Sequence, residues 1–166
     1  MDDLEIVRQQ LGRSPRAFNR VVARCPHGRP AVTEQRPYGP GGEPFPTMYY
    51  LTCRQLVAAV SRIEAAGGVE RWSARVDHEP DLAAALVEAT GRQIAARRRL
   101  AGDETGADGG ASLATGIGGS RSPGQLKCLH AHVAFALANP GYAIGEGVLA
   151  ELPDRWPAAC CFDADG

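Results

Sequence analysis

The stretch FNRVVARCPHGRPAVTE, at residues 18–34, decides the fold class. Its first eight residues mix partial alternation in polarity with β-branched side chains, which is typical of a strand. Pro26, His27 and Gly28 favour a turn, and residues 30–34 favour a returning strand. The sequence therefore predicts a β-hairpin at this point.

The hairpin is followed by an irregular loop and a third strand. Residues 36–46 contain four prolines and three glycines, which rules out a regular element there. Residues 47–52 (TMYYLT) then predict the third strand. Residues 102–122 form a second loop, rich in glycine and small polar residues, which we expect to be mobile.

Apolar spacing of three and four residues predicts helices on both sides of these strands. Asp2 favours capping of the first helix and Gly12 favours its end. The helices expected from this spacing span residues 3–11, 54–66, 80–100, 123–138 (with Gln125 as an alternative start) and 144–152, and residues 69–76 form a short amphipathic segment. The arginines at 97–99 would form a solvated helix end.

These elements predict an α+β protein. A small antiparallel sheet, the hairpin plus the third strand, would pack with four to six helices. Residues 1–152 would form a single domain, and residues 153–166 would form a peripheral tail.

Composition excludes several classes of protein. A net charge of −1 over 166 residues argues against nucleic-acid binding through bulk charge. No apolar run is long enough to span a membrane, and the acidic, amphipathic N-terminus is unlike a signal peptide. We therefore expect a cytoplasmic protein. Five cysteines, an odd number in a reducing compartment, make a disulfide framework improbable and leave burial or metal ligation.

Cysteine and histidine occur together in three places. Cys25 precedes His27 in the hairpin turn, and Cys53 stands at a predicted helix N-terminus, where the dipole lowers a thiol pKa. In the segment KCLHAH, at residues 127–132, Cys128 and His132 are four residues apart and would share a helix face. His130 would then point elsewhere, and His27 or His130 would border the site.

Thiolates and imidazoles together favour zinc or an iron–sulfur centre. The predicted ligands are Cys25, Cys53, Cys128 and His132, with either zinc or a four-iron cluster as the cofactor. Cys160 or Cys161 could add a thiolate if the tail folds back. Because no C-x₂-C pair is present, the alternative is that these cysteines are buried small hydrophobes.

A weaker pattern indicates anion binding. Gly116, Gly118 and Gly119 precede a predicted helix, so their amides could cradle a small anionic molecule, although a flexible linker is the alternative. Arg121 follows them, and Lys127 is the one lysine among 18 basic residues. If the protein is an enzyme, the candidates for catalytic residues are Lys127, His130 and Arg121.

Seven short blocks together resemble one bacterial family, catalogued as domain of unknown function 501 and common in actinobacteria. The resemblance runs from about residue 11 to residue 140, and its most specific block is KCLHAH. Members are often encoded near enolase, a septum-formation protein and an exopolyphosphatase, and the resemblance implies no activity. The blocks are LGR (11–13), RCPHG (24–28), PFPT (44–47), YLTC (50–53), SRIE (61–64), GIGG (116–119) and KCLHAH (127–132).

Three hypotheses about function follow. The first is a metal-binding protein, which as an enzyme would use the ion as a Lewis acid on a small anionic substrate. The second is a non-catalytic binding module with structural Cys and His residues, linked to cell division or phosphate metabolism. The third is a metal-free thiol enzyme that pairs Cys128 with His132, or Cys53 with a histidine from elsewhere. No protein partner is indicated.

Overall fold

The protein is a three-stranded antiparallel sheet packed with six helices, as the computed structural model shows for residues 1–156 and 158–161. The predicted α+β class is therefore confirmed. The elements are α1 (Asp3–Leu11), β1 (Phe18–Arg24), β2 (Pro30–Gln35), β3 (Tyr49–Leu51), α2 (Arg54–Ala65), α3 (Gly68–His78), α4 (Pro80–Ala101), α5 (Leu129–Ala138) and α6 (Ala143–Ala150). None of the helices in these residues is long and apolar enough to cross a membrane.

The sheet has the order β1-β2-β3, and its central strand is covered on both faces. In its register Thr33 lies opposite Val21 on one side and Tyr50 on the other. All six residues of β2 are buried. Helix α5 packs against β3 and α6, and most of its residues are inaccessible because it is apolar almost all round. The sheet and α5 together form the centre of the core.

Several predicted helix ends are confirmed. Asp2 accepts a hydrogen bond from the Glu5 amide at 2.8 Å, and Gly12 ends α1 at a φ of 67°. Cys53 is the N-cap of α2, and Pro80 is the first residue of α4. Proline suits that position because its missing N–H would be unpaired there in any case.

The predicted start of α5 is wrong. The helix begins at Leu129, and Cys128 is its N-cap with an extended φ of −153°. The physical reason is a contact with a distant element, because the Glu64 carboxylate of α2 accepts a hydrogen bond from the Leu129 amide at 2.6 Å. Cys128 is therefore outside the helix, and the spacing argument that paired it with His132 does not apply.

The arginine run at the end of α4 is not a uniformly solvated face. Arg98 and Arg99 are exposed, but Arg97 is fully buried. Its guanidinium donates to the carbonyls of Phe45 (2.9 Å) and Ser112 (3.3 Å). Arg97 thus joins α4 to the proline-rich loop and to the glycine-rich segment, which also holds two short 3₁₀ turns, at Ala111–Ala114 and Ile117–Gly119.

The C-terminal segment is not peripheral where the structure describes it. Cys160 and Cys161 are buried, and Trp156 packs against the core. The Cys161 sulfur accepts a hydrogen bond from Gln10 Nε2 at 3.7 Å, which links the segment to α1. Residues 157 and 162–166 of the predicted tail lie outside the described residues.

Candidate metal site

A group of three potential metal ligands forms where the end of α2 meets the start of α5. Glu64 lies in the last turn of α2, Cys128 is the N-cap of α5, and His130 lies in its first turn. One ligand atom from each residue lies within 4.8 Å of the other two. Within residues 1–156 and 158–161 this is the one such group of Cys, His, Asp and Glu.

The separations in this group fit tetrahedral zinc coordination. Cys128 Sγ lies 3.7 Å from His130 Nδ1, and His130 Nδ1 lies 3.3 Å from Glu64 Oε1. In a tetrahedron with usual zinc bond lengths, a sulfur and a nitrogen are about 3.6 Å apart, and a nitrogen and an oxygen about 3.3 Å. Two of the three separations therefore match the edge lengths that the ion requires, and the third, between Cys128 and Glu64, is within 4.8 Å.

The outer nitrogen of His130 contacts groups that orient the ring. His130 Nε2 lies 3.1 Å from the Val57 carbonyl and 3.1 Å from Ser61 Oγ. A carbonyl can only accept a hydrogen bond, so Nε2 must carry the proton in the contact with Val57. Metal-binding histidines are commonly held in this way, with the free nitrogen directed at the ion. Here that nitrogen is Nδ1, which faces Cys128 and Glu64.

Glu64 has two roles in this arrangement. Its Oε1 accepts the Leu129 amide and also lies against His130 Nδ1. A carboxylate has several lone pairs on two oxygens, so capping of α5 is compatible with binding of an ion. The start of the helix and the candidate site consequently depend on the same side chain.

The electrostatics of the group favour a protonated imidazole when no metal is present. The Cys128 sulfur is the main cause that raises the pKa of His130 to about 9; the Val57 carbonyl and Glu64 add to it, and burial opposes it. An ion that binds Nδ1 must displace this proton.

A pocket of about 490 Å³ opens beside the group. Cys128 and His130 form part of its wall, so a ligand in the pocket can reach both side chains. Much of the remaining wall is apolar or aromatic, including Tyr50, Leu51 and Val57. A pocket of this volume suits a small molecule.

A protein family described as "Protein of unknown function (DUF501)" matches residues 21–150. The chain belongs to this family. The match includes all three residues of the candidate group. A search of curated proteins and a search of solved structures gave no match.

Three of the four ligands predicted from the sequence lie outside this group. Within the DUF501 region, Cys25 and Cys53 are buried members of the hydrophobic core. Burial raises the pKa of the Cys53 thiol and outweighs the amides at the start of α2, so the expected lowering of that pKa is wrong. His132 is fully buried with Nδ1 2.8 Å from the Tyr142 hydroxyl, and burial lowers its pKa to about 3.

The glycine-rich part of the DUF501 region does not have the geometry of an anion cradle. The Gly116 amide donates to the Ser120 carbonyl at 2.7 Å, and the Gly119 amide donates to the Gly116 carbonyl at 3.0 Å. No helix follows directly, since α5 begins ten residues later. The glycines instead permit close packing, because a Cβ on Gly119 would lie 2.9 Å from Cβ of Pro46.

The candidates for catalytic residues differ in whether they line the pocket. Arg121 and Lys127 are exposed and do not line the pocket, whereas His130 does. His27 is exposed in the hairpin turn. Glu64 was missed because a single glutamate near the end of a helix gives no signal that it will reach a distant cysteine. Its position in the block SRIE was the one available indication.

Proposed function

We propose that this protein binds one zinc ion through Cys128 Sγ, His130 Nδ1 and a carboxylate oxygen of Glu64. The observation that carries the proposal is a pair of separations, Sγ to Nδ1 at 3.7 Å and Nδ1 to Oε1 at 3.3 Å, which match two edges of a zinc tetrahedron. The contact of His130 Nε2 with Val57 supports it, because it directs Nδ1 at the site. A four-iron cluster is disfavoured because it requires several thiolates and this group offers one.

Three protein ligands leave a fourth zinc position open, and Cys128 and His130 face the pocket. This arrangement is typical of catalytic zinc rather than structural zinc. The ion would act as a Lewis acid on a small anionic substrate in the pocket. We place the protein in the cytoplasm, where a reducing environment keeps Cys128, which is free in the structure, as a thiol.

Metal analysis of purified variants tests this proposal. The protein is purified without chelators, and zinc is counted per chain by mass spectrometry. We expect one zinc in the wild type and less than a tenth of that in Cys128→Ser and His130→Gln. Glu64→Gln should bind zinc more weakly, while its amide oxygen can still accept the Leu129 N–H.

Cys25→Ala and Cys53→Ala are the matched controls, because both remove a buried thiol outside the group. Both should retain one zinc even if they lower the melting temperature. Folded wild-type protein that takes up no zinc on titration would overturn the proposal. Loss of zinc in Cys25→Ala and Cys53→Ala, to the extent seen in Cys128→Ser, would favour the ligand set predicted from the sequence.

A second candidate is a metal-free thiol enzyme, with Cys128 as nucleophile and His130 as its partner. The observation in its favour is the 3.7 Å separation of the Cys128 sulfur and His130 Nδ1, at the start of a ten-residue helix. This candidate predicts a zinc-free protein in which iodoacetamide modifies Cys128 at least ten times faster than in His130→Gln. Equal rates in the two proteins would exclude it.

A further inference from the structure

The pocket beside the candidate zinc site has features that restrict what it can bind. Its volume of about 490 Å³ is that of a site for one small molecule. Apart from Cys128 and His130, its wall is formed largely by β3 and the first turns of α2. The part formed by β3 and α2 differs in chemistry from the part formed by Cys128 and His130.

The part formed by β3 and α2 is suited to an apolar group. Tyr49, Tyr50 and Leu51 follow one another along it, and Val57 and Ala58 continue it on α2. Aromatic contacts restrict both tyrosine rings, since Tyr49 packs edge-on against Phe135 and Tyr50 lies tilted against Phe45, each at 5.7 Å between ring centroids. Rings fixed in this way offer flat apolar surface at little entropic cost.

The part formed by Cys128 and His130 is suited to an anionic oxygen. No Asp or Glu side chain of the described residues lines the pocket, whereas Arg54 does, and the nearby carboxylate of Glu64 would itself be bound to the ion. The N-terminus of α5 also lies here, and its dipole favours negative charge. An ion held by three protein groups would bind such an oxygen in its open position.

We propose that the pocket binds a small carboxylic acid with an apolar or aromatic body. The carboxylate occupies the open zinc position, and the body lies against the part of the wall formed by β3 and Val57. This inference rests on the proposed zinc site and adds to it the class of substrate. The two parts of the acid contribute separately to binding, because the apolar body is removed from water and the carboxylate binds the ion.

The experiment compares three probes on zinc-loaded protein. The probe 4-phenylbutyrate has both the apolar body and the carboxylate, 4-phenylbutanol has the body alone, and acetate has the head alone. Binding is measured by calorimetry and by saturation-transfer NMR. We expect 4-phenylbutyrate to bind at least ten times more tightly than either of the other two probes. Its affinity should fall at least tenfold in the zinc-free protein.

A variant that narrows the pocket supplies the structural test. Ala58 lines the pocket but is exposed on α2, so Ala58→Phe can be accommodated without repacking of the core. We expect it to keep one zinc per chain and to lose at least ten-fold in affinity for 4-phenylbutyrate. The control is Ala95→Phe, the same change at an exposed position of α4 that does not line the pocket, which should bind like the wild type.

The outcomes separate the two proposals. Folded wild-type protein that takes up no zinc on titration overturns the proposed function, and this inference with it. Bound zinc with equal affinity for 4-phenylbutyrate and 4-phenylbutanol overturns the carboxylate inference while the zinc site stands. Bound zinc with unchanged 4-phenylbutyrate affinity in Ala58→Phe shows that the acid binds elsewhere, which also overturns the inference.

Discussion

Glu64 holds the first backbone amide of α5 and at the same time contacts His130 Nδ1. The consequence is that the three candidate ligands are brought together by the same contact that starts the helix. Cys128, as the N-cap, makes no side-chain capping bond of its own, so its sulfur is free to face the group. A carboxylate supplies the cap that Ser, Thr or Asp would normally supply at this position.

Gly118 is the residue beside this group whose conformation only glycine adopts easily. Its φ is 71°, and a Cβ there would lie 3.2 Å from Ala131 Cβ and 3.8 Å from Cys128 Cβ. We predict that Gly118→Ala lowers the free energy of unfolding by more than the roughly 1 kcal/mol that a left-handed conformation costs alanine. It should also weaken zinc binding, because the start of α5 must shift.

Gly109→Ala is the control for Gly118→Ala. Gly109 has a similar φ of 65°, but a Cβ there would meet nothing within 4 Å. This variant should show the backbone cost alone, with unchanged zinc affinity. Zinc titration and urea unfolding of both variants measure the two effects. Identical behaviour of the two variants would show that the contact with Ala131 and Cys128 has no consequence.

The sequence identified part of the candidate site, because Cys128 and His130 stand two residues apart in an unusual block. It assigned His132 in place of His130, since the choice between them depends on where α5 begins. That point is set by Glu64, which lies 65 residues away along the chain. Local spacing cannot show such a contact, so the candidate group can be recognised only in the tertiary structure.

At the scale of secondary structure, the elements that local signals control were predicted to within two or three residues. The proline at position 80 and the glycine at position 12 fix ends of α4 and α1 regardless of tertiary context. Two features were predicted wrongly, the start of α5 and the exposure of Arg97. Both are decided by partners from other elements, a carboxylate in one case and two loop carbonyls in the other.

Arg97 joins α4 to two long loops, so its removal should lower the free energy of unfolding by a large amount. Arg97→Ala leaves the carbonyls of Phe45 and Ser112 without their donor and opens a cavity in the core. We predict a loss of about 3 kcal/mol in the free energy of unfolding. Arg98→Ala, at the exposed neighbouring position, should change it by less than about 0.5 kcal/mol. Urea unfolding of both variants tests this, and similar values would contradict the role given to Arg97.

The central strand contains a carboxylate, that of Glu34, whose contribution to the stability of the fold depends on pH. Glu34 is buried and accepts hydrogen bonds from Asn19 (2.8 Å) and Arg20 (2.9 Å). Burial alone would raise the pKa of Glu34, but these hydrogen bonds outweigh it and hold the pKa below its ordinary value of 4.5. The stabilisation is therefore full above pH 4.5 and is lost as the pH falls through the lowered pKa of the folded state.

Glu34→Gln should accordingly destabilise the protein by roughly 1 kcal/mol at pH 7. The difference from the wild type should shrink in urea unfolding at pH 3, where the unfolded wild-type carboxyl is protonated. Glu88→Gln, at an exposed position in the interior of α4, should show no difference at either pH. A deficit in Glu34→Gln of the same size at pH 3 and pH 7 would mean that the charge of Glu34 is not what stabilises the strand.

At the scale of the whole molecule, the core extends from the sheet and α5 to the C-terminal segment. Cys53, at the start of α2, and Cys161 belong to the same hydrophobic core. Gln10 completes the connection, because its Nε2 donates both to the Pro30 carbonyl at 2.8 Å and to the Cys161 sulfur at 3.7 Å. The sequence predicted a peripheral segment because terminal residues are commonly poorly ordered, whereas Cys160 and Cys161 are buried and Trp156 packs against the core.

This packing makes Cys161 a test of how far the core reaches. Cys161 is 4% exposed, and a serine there would bury a hydroxyl in place of a weakly polar thiol. We predict that Cys161→Ser lowers the free energy of unfolding by about 1–2 kcal/mol. Zinc content should be unchanged, because Cys161 is not part of the candidate site.

Two further variants make this last prediction specific. Cys161→Ala removes the sulfur without adding a polar group, so it should be less destabilising than Cys161→Ser. Ala159→Ser adds the same hydroxyl at an exposed position of the same segment and should leave stability unchanged. Thermal and urea unfolding measure the order of stability of these variants directly.

If Cys161→Ser is as stable as the wild type, the segment does not pack in solution as the structure has it, and the core ends at α6. If Cys161→Ser also loses zinc, the C-terminal segment supports the metal site, and Cys161 acts on it through Gln10 and the wall of the pocket that Gln10 lines.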